Sequence, residues 1–496
     1  MLKRLFVLLL KGLLFFIVVW LAVIAYWQVT RRVVSSSDLL IYLVLLPIGL
    51  LLTYWLLKGT FHLGKKGIAW YRNRAAHKPE NPGATDEARA DAVGRQEKSL
   101  HVLGSAIFSG MGDAETWIEK TRAYEIHHEL DNTLTDALGF AVRSMRIAEL
   151  DEMELSDDIP LGVQRMTHML DRVLDDLSDV VTRAASDTLR VNLKRSASDQ
   201  GVVLHPEWRG PATAQVEVPP PEPIAQGTTL TGLSIFLFLP GFIADDNAER
   251  LKSLCMDWAT SAGWKPGAVV VNAVVAQDSQ MGLKKLGEVI QQQLQRPHQL
   301  LVLLSAVSWL DESLLTERLQ HDAVWADRLR KASTIVGEAA AGVVLSNHPL
   351  VDSETQDASP SLARLSLLSL GERQKPVDVK GSIEAELLVN LSQDLEQAHG
   401  VNASQYKQLV ATGDHSQGRP VELGRWLTDC LPHMSLVDDS ILVGQHLGEC
   451  DPVSNLLALA LAVESCRQED TPVLFCSNHG MSWRGLSVVM PVSKEA

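Results

Sequence analysis

The chain is poor in cysteine, and its cysteines show no spacing typical of a metal site or a set of disulfides. Its 496 residues include only five cysteines, and none of them forms a C-x-x-C pair. An odd number of scattered cysteines, three of them in apolar stretches, excludes a disulfide-stapled scaffold and a zinc ribbon. No H-E-x-x-H sequence is present, and glycine and proline (33 and 21 residues) are too few for a collagen-like or low-complexity protein. The composition, 46% apolar and 21% charged, predicts one large or two ordinary packed domains.

Basic residues are scarce beyond the N-terminus. Of the 45 Lys and Arg residues, 11 lie in residues 1–78 together with a single acid, Asp38. The remaining 418 residues hold 34 basic and 59 acidic side chains, a net charge of −25. Nucleic-acid binding depends on Lys and Arg that neutralise phosphates, so the charge excludes a nucleic-acid partner.

Two long apolar runs precede this acidic body. Residues 5–27 are apolar apart from Lys11, and residues 39–57 carry no charge. Each is long enough to cross a hydrocarbon core of about 30 Å, which predicts a two-helix transmembrane hairpin over residues 1–60, with membrane contact through residues 5–57. A pair of buried core helices is the alternative. Basic residues flank the two outer ends, so both termini and the body are expected on the cytoplasmic side of a bacterial inner membrane.

The rest of the chain divides by composition. Residues 61–97 form a basic and polar linker, and residues 98–230 form an N-terminal cytoplasmic region with a helical insert and a proline-rich connector around Pro219–Pro223. In residues 231–496, buried apolar runs alternate with helical segments, which favours an α/β fold with a largely parallel sheet covered on both faces. The expected strands are Leu100–Phe108, Ser234–Leu239, Ala268–Val275, Leu300–Leu304, Ala341–Ser346, Ser440–Val443 and Val473–Cys476. The expected helices are 246–262, 280–296, 311–330, 380–397 and 452–467, and a Met/Leu stripe from Val163 to Leu177 predicts a further, core-facing helix.

The C-terminal part resembles the ketoacyl-synthase branch of the thiolase superfamily. The resemblance is carried by Gly418-Arg-Pro-Val-Glu422, by Gly444-Gln-His-Leu-Gly448 before a small-residue helix, by Ser477-Asn-His-Gly480 between two strands, and by Gly337-Glu-Ala-Ala-Ala-Gly342 upstream. It implies a thiolase-like body with α/β/α/β/α layers. The family's nucleophile is a cysteine at a helix N-terminus, whereas the corresponding helix here begins near Gln277-Asp-Ser-Gln280 and no cysteine lies between Cys255 and Cys430.

The family's other catalytic positions also differ. Its two histidines fall at Ala411 and Gln445, and the loop that needs glycines for an oxyanion hole carries His479, Ser482, Trp483 and Arg484. The loss of nucleophile, base and permissive loop predicts a pseudoenzyme, with no catalytic, cofactor-binding or metal-binding residue and no cofactor. The alternative is an acyl-processing enzyme with a rearranged active site, for which Cys450, Cys476, His446 and His479 are the candidate residues.

The layout of the whole chain resembles adaptor proteins that load a lipase toxin onto the type VI secretion spike of Gram-negative bacteria. The supporting features are the membrane hairpin, the acidic body, the proline-rich connector and the segment from Gly413 to Trp426. The resemblance implies a non-catalytic, membrane-anchored adaptor whose partners are a secreted lipase-class effector and a spike protein. A structural subunit of an envelope complex is a third possibility. Candidate interface anchors are tryptophans, with packing inside the fold as the alternative: Trp208, Trp258, Trp264, Trp309, Trp325, Trp426 and Trp483.

Overall fold

The structure is a computed structural model that describes residues 99–136, 138–153, 156, 158–199, 230–321, 335–350, 361–377, 383–414 and 418–492. The predicted membrane hairpin, the linker and the proline-rich connector lie outside these ranges. None of the helices in the described ranges combines the length and apolar composition needed to cross a bilayer.

The strands form one continuous mixed sheet, and its first half is built from the N-terminal part of the chain. Here β4 (Gly232–Pro240) pairs in parallel with β5 (Val269–Ala276) and β6 (Gln299–Ser308), and β6 pairs antiparallel with β7 (Val336–Ser346). Next to β7 lies β1 (Ser99–Ser109), also antiparallel. A hairpin of β2 (Glu129–Thr135) and β3 (Ala141–Met145) is joined to β7 through β3.

The second half is built from the C-terminal part. The strand β10 (Gln408–Ala411) lies in parallel between β11 (Ser440–Leu442) and β12 (Val473–Ser477). The strand β13 (Trp483–Met490) pairs antiparallel with β12, with β8 (Ala363–Ser366) and with β9 (Ser369–Glu372). Because β8 also pairs with β1, the two halves join.

Helices cover both halves and fill the space between them. On the outer face of the first half lie α2 (Leu161–Asp199) and α3 (Asp245–Ser261), whereas the short α1 (Ala114–Arg122) contacts β1 and belongs to the central hydrophobic cluster. Between the halves lie α4 (Ser279–Leu294) and α9 (Val453–Glu469), and α9 contacts β1 and β7 of one half and β10 and β12 of the other. The outer face of the second half carries α6 (Glu386–His399) and α7 (Gly418–Cys430); α5 (Glu312–His321) and α8 (Val443–His446) are shorter. These contacts place helices on the outer faces of the mixed sheet and between its two halves.

The position of α9 between the two halves explains why this segment of the sequence is apolar on all sides. Every residue from Val453 to Cys466 is buried, and Leu and Ala alternate without a polar face. A helix that is apolar on all sides is stable only when protein surrounds it. The Met/Leu stripe of α2 is likewise core: Met166, Met169, Leu170 and Val173 have no exposed surface.

Two sequence expectations need correction. The sheet is mixed rather than largely parallel, because β12 and β13 are joined by a short loop without a helix and must therefore run antiparallel. The strand expected over Ala341–Ser346 is longer, because β7 begins at Val336 and includes the whole Gly337–Gly342 segment. Its small residues allow close packing: a Cβ on Gly342 would lie 2.7 Å from the Leu177 side chain of α2.

Candidate functional site

A cavity of about 740 Å³ opens at the carboxyl ends of β4, β5, β6 and β12. Its wall is formed by the segments that follow these strands, by the first turn of α4, and by the segment 449–451 that precedes α9. Ligands of α/β proteins bind at the carboxyl ends of parallel strands, because loops and helix N-termini converge there. This cavity is therefore the candidate functional site.

The start of α4 lies on this wall, at the place that the sequence assigns to the family's cysteine. Asp278 is the N-cap residue, and its side chain accepts a hydrogen bond from the backbone N–H of Met281. The helix then begins at Ser279, and the apolar side chains at Leu283, Leu286 and Ile290 hold it against the core. The sequence expectation for this helix start is confirmed, and a serine rather than a cysteine occupies its first position.

Three ionisable side chains converge beside this helix start. The Nε2 atom of His479 lies 3.4 Å from Oδ2 of Asp451 and 3.8 Å from Oε2 of Glu449. Asp451 also accepts hydrogen bonds from the hydroxyls of Ser279 and Ser454. Burial raises the pKa of the Asp451 carboxyl, an effect that His479 opposes and Glu449 reinforces. We call Glu449, Asp451 and His479 the carboxylate–histidine cluster.

The backbone around His479 is fixed on both sides. Its N–H donates to Oγ1 of Thr412, and its carbonyl oxygen accepts a hydrogen bond of 2.5 Å from Nε of the buried Arg419. The next residue, Gly480, packs on the first turn of α4, where a Cβ would lie 2.7 Å from Cγ of Gln280. The peptide of His479 is therefore held at both ends beside the cavity that its side chain lines.

The two acids are held by the turn before α9. Gly448 adopts φ +80°, and a Cβ there would lie 2.3 Å from the carbonyl oxygen of Ile335, so this turn requires glycine. The following Glu449 forms an ion pair with Arg318 at 3.1 Å, and the guanidinium of Arg318 lies over the ring of Trp309. These contacts restrict the Glu449 carboxylate to the cavity wall.

The cysteines of the alternative hypothesis do not reach the cavity. Cys450 and Cys476 are 1% and 0% exposed, and burial raises the pKa of each thiol well above its usual value. A thiol that stays protonated is a poor nucleophile. The expectation that these residues converge into a site is therefore wrong for both cysteines. Of the two histidines, His479 lines the cavity and His446 lies in α8, outside its lining.

The tryptophans mostly pack inside the fold. Trp258, Trp264, Trp309 and Trp426 are buried, and Trp483 is half-buried beneath the ammonium group of Lys284. Buried rings cannot anchor a partner without unfolding, which favours the packing alternative for these four. Trp208 and Trp325 lie outside the described residues.

Sequence reasoning identified His479 but missed the two acids that surround it. Glu449 and Asp451 follow directly on the Gly-Gln-His-Leu-Gly segment, which the resemblance had already singled out. Their proximity to a family motif was the available signal. Nothing in the sequence shows that residues 449 and 479 meet, because that depends on how β12 pairs beside β10.

The comparisons with known proteins support a thiolase-like fold. No protein-family model matches the sequence, and no curated protein sequence matches it. Among solved structures, the chain is similar to a type II polyketide synthase ketosynthase in complex with its acyl-carrier protein (AntDE:AntF), at 10% identity and a TM-score of 0.50, over 80% of this chain and 100% of that one.

Two other similar structures have lower scores. A ketosynthase from module 1 of the bacillaene synthase of Bacillus amyloliquefaciens is 11% identical, with a TM-score of 0.49 over 81% of this chain and 75% of that one. OleA of Xanthomonas campestris is 12% identical, with a TM-score of 0.40 over 79% and 98%. At these identities the likeness concerns the fold alone. Nothing in the comparisons supports the resemblance to type VI secretion adaptors.

Proposed function

We propose that the chain is an acyl-processing protein of the thiolase superfamily that hydrolyses acyl thioesters at a rearranged active site. The observation that carries the proposal is the convergence of the carboxylate–histidine cluster on the cavity beside the start of α4. The fold adds support, since the similar type II ketosynthase is described with its acyl-carrier protein and a bound hexaketide. An acyl chain attached to a carrier thiol is the substrate class that follows.

The chemistry needs no cysteine. A water oxygen adds to the thioester carbonyl carbon, and the proton that this water loses passes to the carboxylate–histidine cluster. The carbon–sulfur bond then breaks, the leaving thiolate takes up a proton, and the products are a carboxylic acid and a free thiol. The negative charge that develops on the carbonyl oxygen is stabilised by the backbone N–H groups of Ser279 and Gln280, which precede the capped N–H of Met281 and have no partner within the helix.

The residues around the cluster have positioning roles in this scheme. Ser279 and Ser454 hold Asp451 by donating to its carboxylate, and Arg419 fixes the carbonyl of His479. The predicted hairpin over residues 5–57 would tether this site at the cytoplasmic face of a bacterial inner membrane, where acyl chains are abundant. That location is part of the proposal.

The test is thiol release by the full-length protein. Acyl-CoA substrates from acetyl to palmitoyl are incubated with the purified chain, and free CoA is detected with a thiol reagent. We expect release by the wild type and a loss of about 100-fold or more in His479→Gln, because general acid–base groups contribute about 10²–10⁴. His433→Gln is the matched control, since His433 bonds the Tyr406 carbonyl away from the cavity. Absence of release for every chain length would overturn the proposal.

A second candidate function is the adaptor predicted from the chain layout, and one surface feature favours it. The β2–β3 hairpin exposes Leu130, Leu138 and Phe140, at 61%, 64% and 66% of their surface. Such a concentration of exposed apolar side chains is typical of a protein-binding surface. The acidic body would favour encounter with a basic partner. In this role the chain would bind a lipase-class effector and a secretion spike protein.

The adaptor function is tested by co-purification from the organism's own cells. Full-length wild type is compared with a Leu138→Ser/Phe140→Ser double variant, and recovered proteins are identified by mass spectrometry. The adaptor function predicts a lipase-class toxin or a spike protein that is retained by the wild type and lost by the double variant. Val421→Ser, which changes an exposed apolar residue on α7, is the control. Recovery of neither partner class would contradict this function.

A further inference from the structure

The carboxylate–histidine cluster has the composition and spacing of a cation site. Two carboxylate oxygens and one imidazole nitrogen face one another within 4.8 Å. Two ligands on a tetrahedral ion with bonds of about 2.1 Å lie about 3.4 Å apart. The distances from Nε2 of His479, 3.4 Å to Asp451 and 3.8 Å to Glu449, are close to that value. The three atoms therefore surround a common point at which an ion fits with small side-chain shifts.

A simple ion pair would give a different geometry. A protonated imidazole that donates to a carboxylate lies about 2.7–2.9 Å from the acceptor oxygen. Here Nε2 is between two oxygens and closer than 3.4 Å to neither of them. His479 is only 7% exposed, and its Nδ1 has no hydrogen-bond partner among the described residues. The nitrogen that faces the two acids, Nε2, makes no close contact with either oxygen, and the space between the three atoms fits a ligand that the side chains alone do not supply.

The local charge also favours a cation. Glu449 is balanced by Arg318 on the side away from His479, whereas the ion pair that Asp451 makes within the described ranges is with His479. Neutral imidazole leaves the Asp451 carboxylate, whose side chain is only 14% exposed, without a counter-charge, which is costly.

Neighbouring side chains hold the proposed ligands in place, as the residues around the ligands do in known metal sites. Ser279 and Ser454 donate to the Asp451 carboxylate, and Arg318 pairs with Glu449. Such outer contacts orient ligands and raise metal affinity about 10–100-fold. The ion's other positions would face the cavity, so that water or a carbonyl oxygen could complete its coordination.

We propose that Glu449, Asp451 and His479 bind one divalent transition-metal ion of the Mn²⁺-to-Zn²⁺ series at the wall of the cavity. Mixed oxygen and nitrogen ligands suit these ions better than Mg²⁺ or Ca²⁺, which prefer oxygen alone. The ion would polarise the thioester carbonyl and lower the pKa of a bound water, and a carboxylate oxygen of the cluster that does not bind the ion, rather than Nε2 of His479, would accept the water's proton. This catalytic role rests on the proposed function, whereas the binding itself does not.

The binding test is calorimetric titration of the full-length, EDTA-treated protein with ZnCl₂ and with MnCl₂. We expect one equivalent of ion for the wild type and affinity lower by about 100-fold or more in Asp451→Asn and in His479→Gln. Asp278→Asn is the matched control: it removes a carboxylate from the same cavity and keeps a good N-cap residue. Binding within about twofold of wild type is expected for this control. No binding by the wild type, or equal losses in Asp278→Asn and Asp451→Asn, would overturn the inference.

A second measurement does not depend on how well a variant folds. Pulsed electron paramagnetic resonance of the Mn²⁺-loaded wild type reports coupling to a directly bound nitrogen. We expect one imidazole nitrogen, and its absence would overturn the ligand assignment. The outcomes also separate the two proposals. Ion binding without thiol release contradicts the hydrolase function alone, whereas thiol release by a protein that binds no ion contradicts the cation site alone.

Discussion

Arg165 of α2 and Glu338 of β7 form a fully buried, two-pronged ion pair. Nε and Nη2 of the arginine lie 2.8 and 2.5 Å from the two carboxylate oxygens, and the side chains are 1% and 0% exposed. Glu338 also accepts hydrogen bonds from the N–H of Ile147 and the hydroxyl of Ser308. One carboxylate therefore connects the long outer helix, the strand β6 and the segment after β3.

Removing one partner of this pair is expected to destabilise the protein strongly. Glu338→Gln leaves the buried Arg165 guanidinium with the partly exposed Asp151 as its remaining counter-charge, and we expect a loss of about 3 kcal/mol in the free energy of unfolding. Urea unfolding of the full-length protein measures it. Lys252→Ala, which breaks the exposed pair with Glu249, is the control and should change stability by less than about 1 kcal/mol. Equal effects of the two substitutions would contradict the assignment of Glu338 as a structural centre.

His101 is expected to make stability depend on pH. It lies in β1, bonded to Ser361, and burial, helped by Arg364 and His348, lowers its pKa from 6.5 to about 4. The unfolded chain keeps the ordinary pKa, so between pH 6.5 and about 4 the unfolded state binds more protons. The free energy of unfolding is therefore unaffected by the titration of His101 above pH 6.5, and it decreases as the pH falls from 6.5 towards 4.

The size of this effect is moderate, because the imidazole is partly exposed and solvent screens it. We expect a loss of about 1–2 kcal/mol between pH 7 and pH 4.5, measured by urea unfolding. His101→Asn should show a smaller loss over the same interval. If the variant and the wild type lose the same stability, His101 does not titrate as described.

The conformation of the β2–β3 hairpin depends on the carboxylate of Asp131. This carboxylate accepts hydrogen bonds from the backbone N–H groups of Thr133 and Leu134 and from the side chains of Ser144 and Arg146. These bonds hold the pKa of the Asp131 carboxyl well below its usual range. Asp131→Ala should speed hydrogen exchange of backbone amides in residues 129–145 by about 10-fold or more. Exchange in α9 should stay unchanged, and unchanged exchange in the hairpin would show that Asp131 does not order it.

The cysteines should differ in reactivity. Cys255, Cys450, Cys466 and Cys476 are buried, whereas Cys430 is half-buried, with a pKa raised to about 11 by burial and by nearby acids. Alkylation of the native full-length protein near pH 8, followed by peptide mass spectrometry, should modify Cys430 slowly. The four buried cysteines should react only after denaturation. Rapid native labelling of Cys450 or Cys476 would restore the cysteine-based alternative.

The sequence predicted most of the fold because its physical signals are local. Runs such as Ser234–Leu239 and Val473–Cys476 are apolar over a strand's length, and the helix expected over 280–296 begins at Ser279, directly after its N-cap residue Asp278. The direction in which neighbouring strands run could not be predicted from the sequence. Alternating strands and helices predict parallel neighbours, and nothing local marks β1 as the antiparallel neighbour of β7.

The site was less predictable than the fold. The missing cysteine at the start of α4 is visible in the sequence, and it indicates the loss of one chemistry. The replacement is not visible there, because Asp451 and His479 are separated by α9 and β12 and meet only through tertiary packing. A motif search examines only the positions that belong to the motif, whereas Glu449 and Asp451 lie directly after the segment Gly444–Gly448 and outside it.

Thioester hydrolysis in the cavity without a covalent cysteine intermediate can be tested by mass spectrometry of the intact protein during turnover. The full-length chain is mixed with excess acyl-CoA, and released CoA and the mass of the protein are followed together. Hydrolysis by direct attack of water predicts that CoA is released continuously while the protein keeps its unmodified mass. A stable acyl adduct on a cysteine, or an unmodified protein with no CoA released, would contradict it.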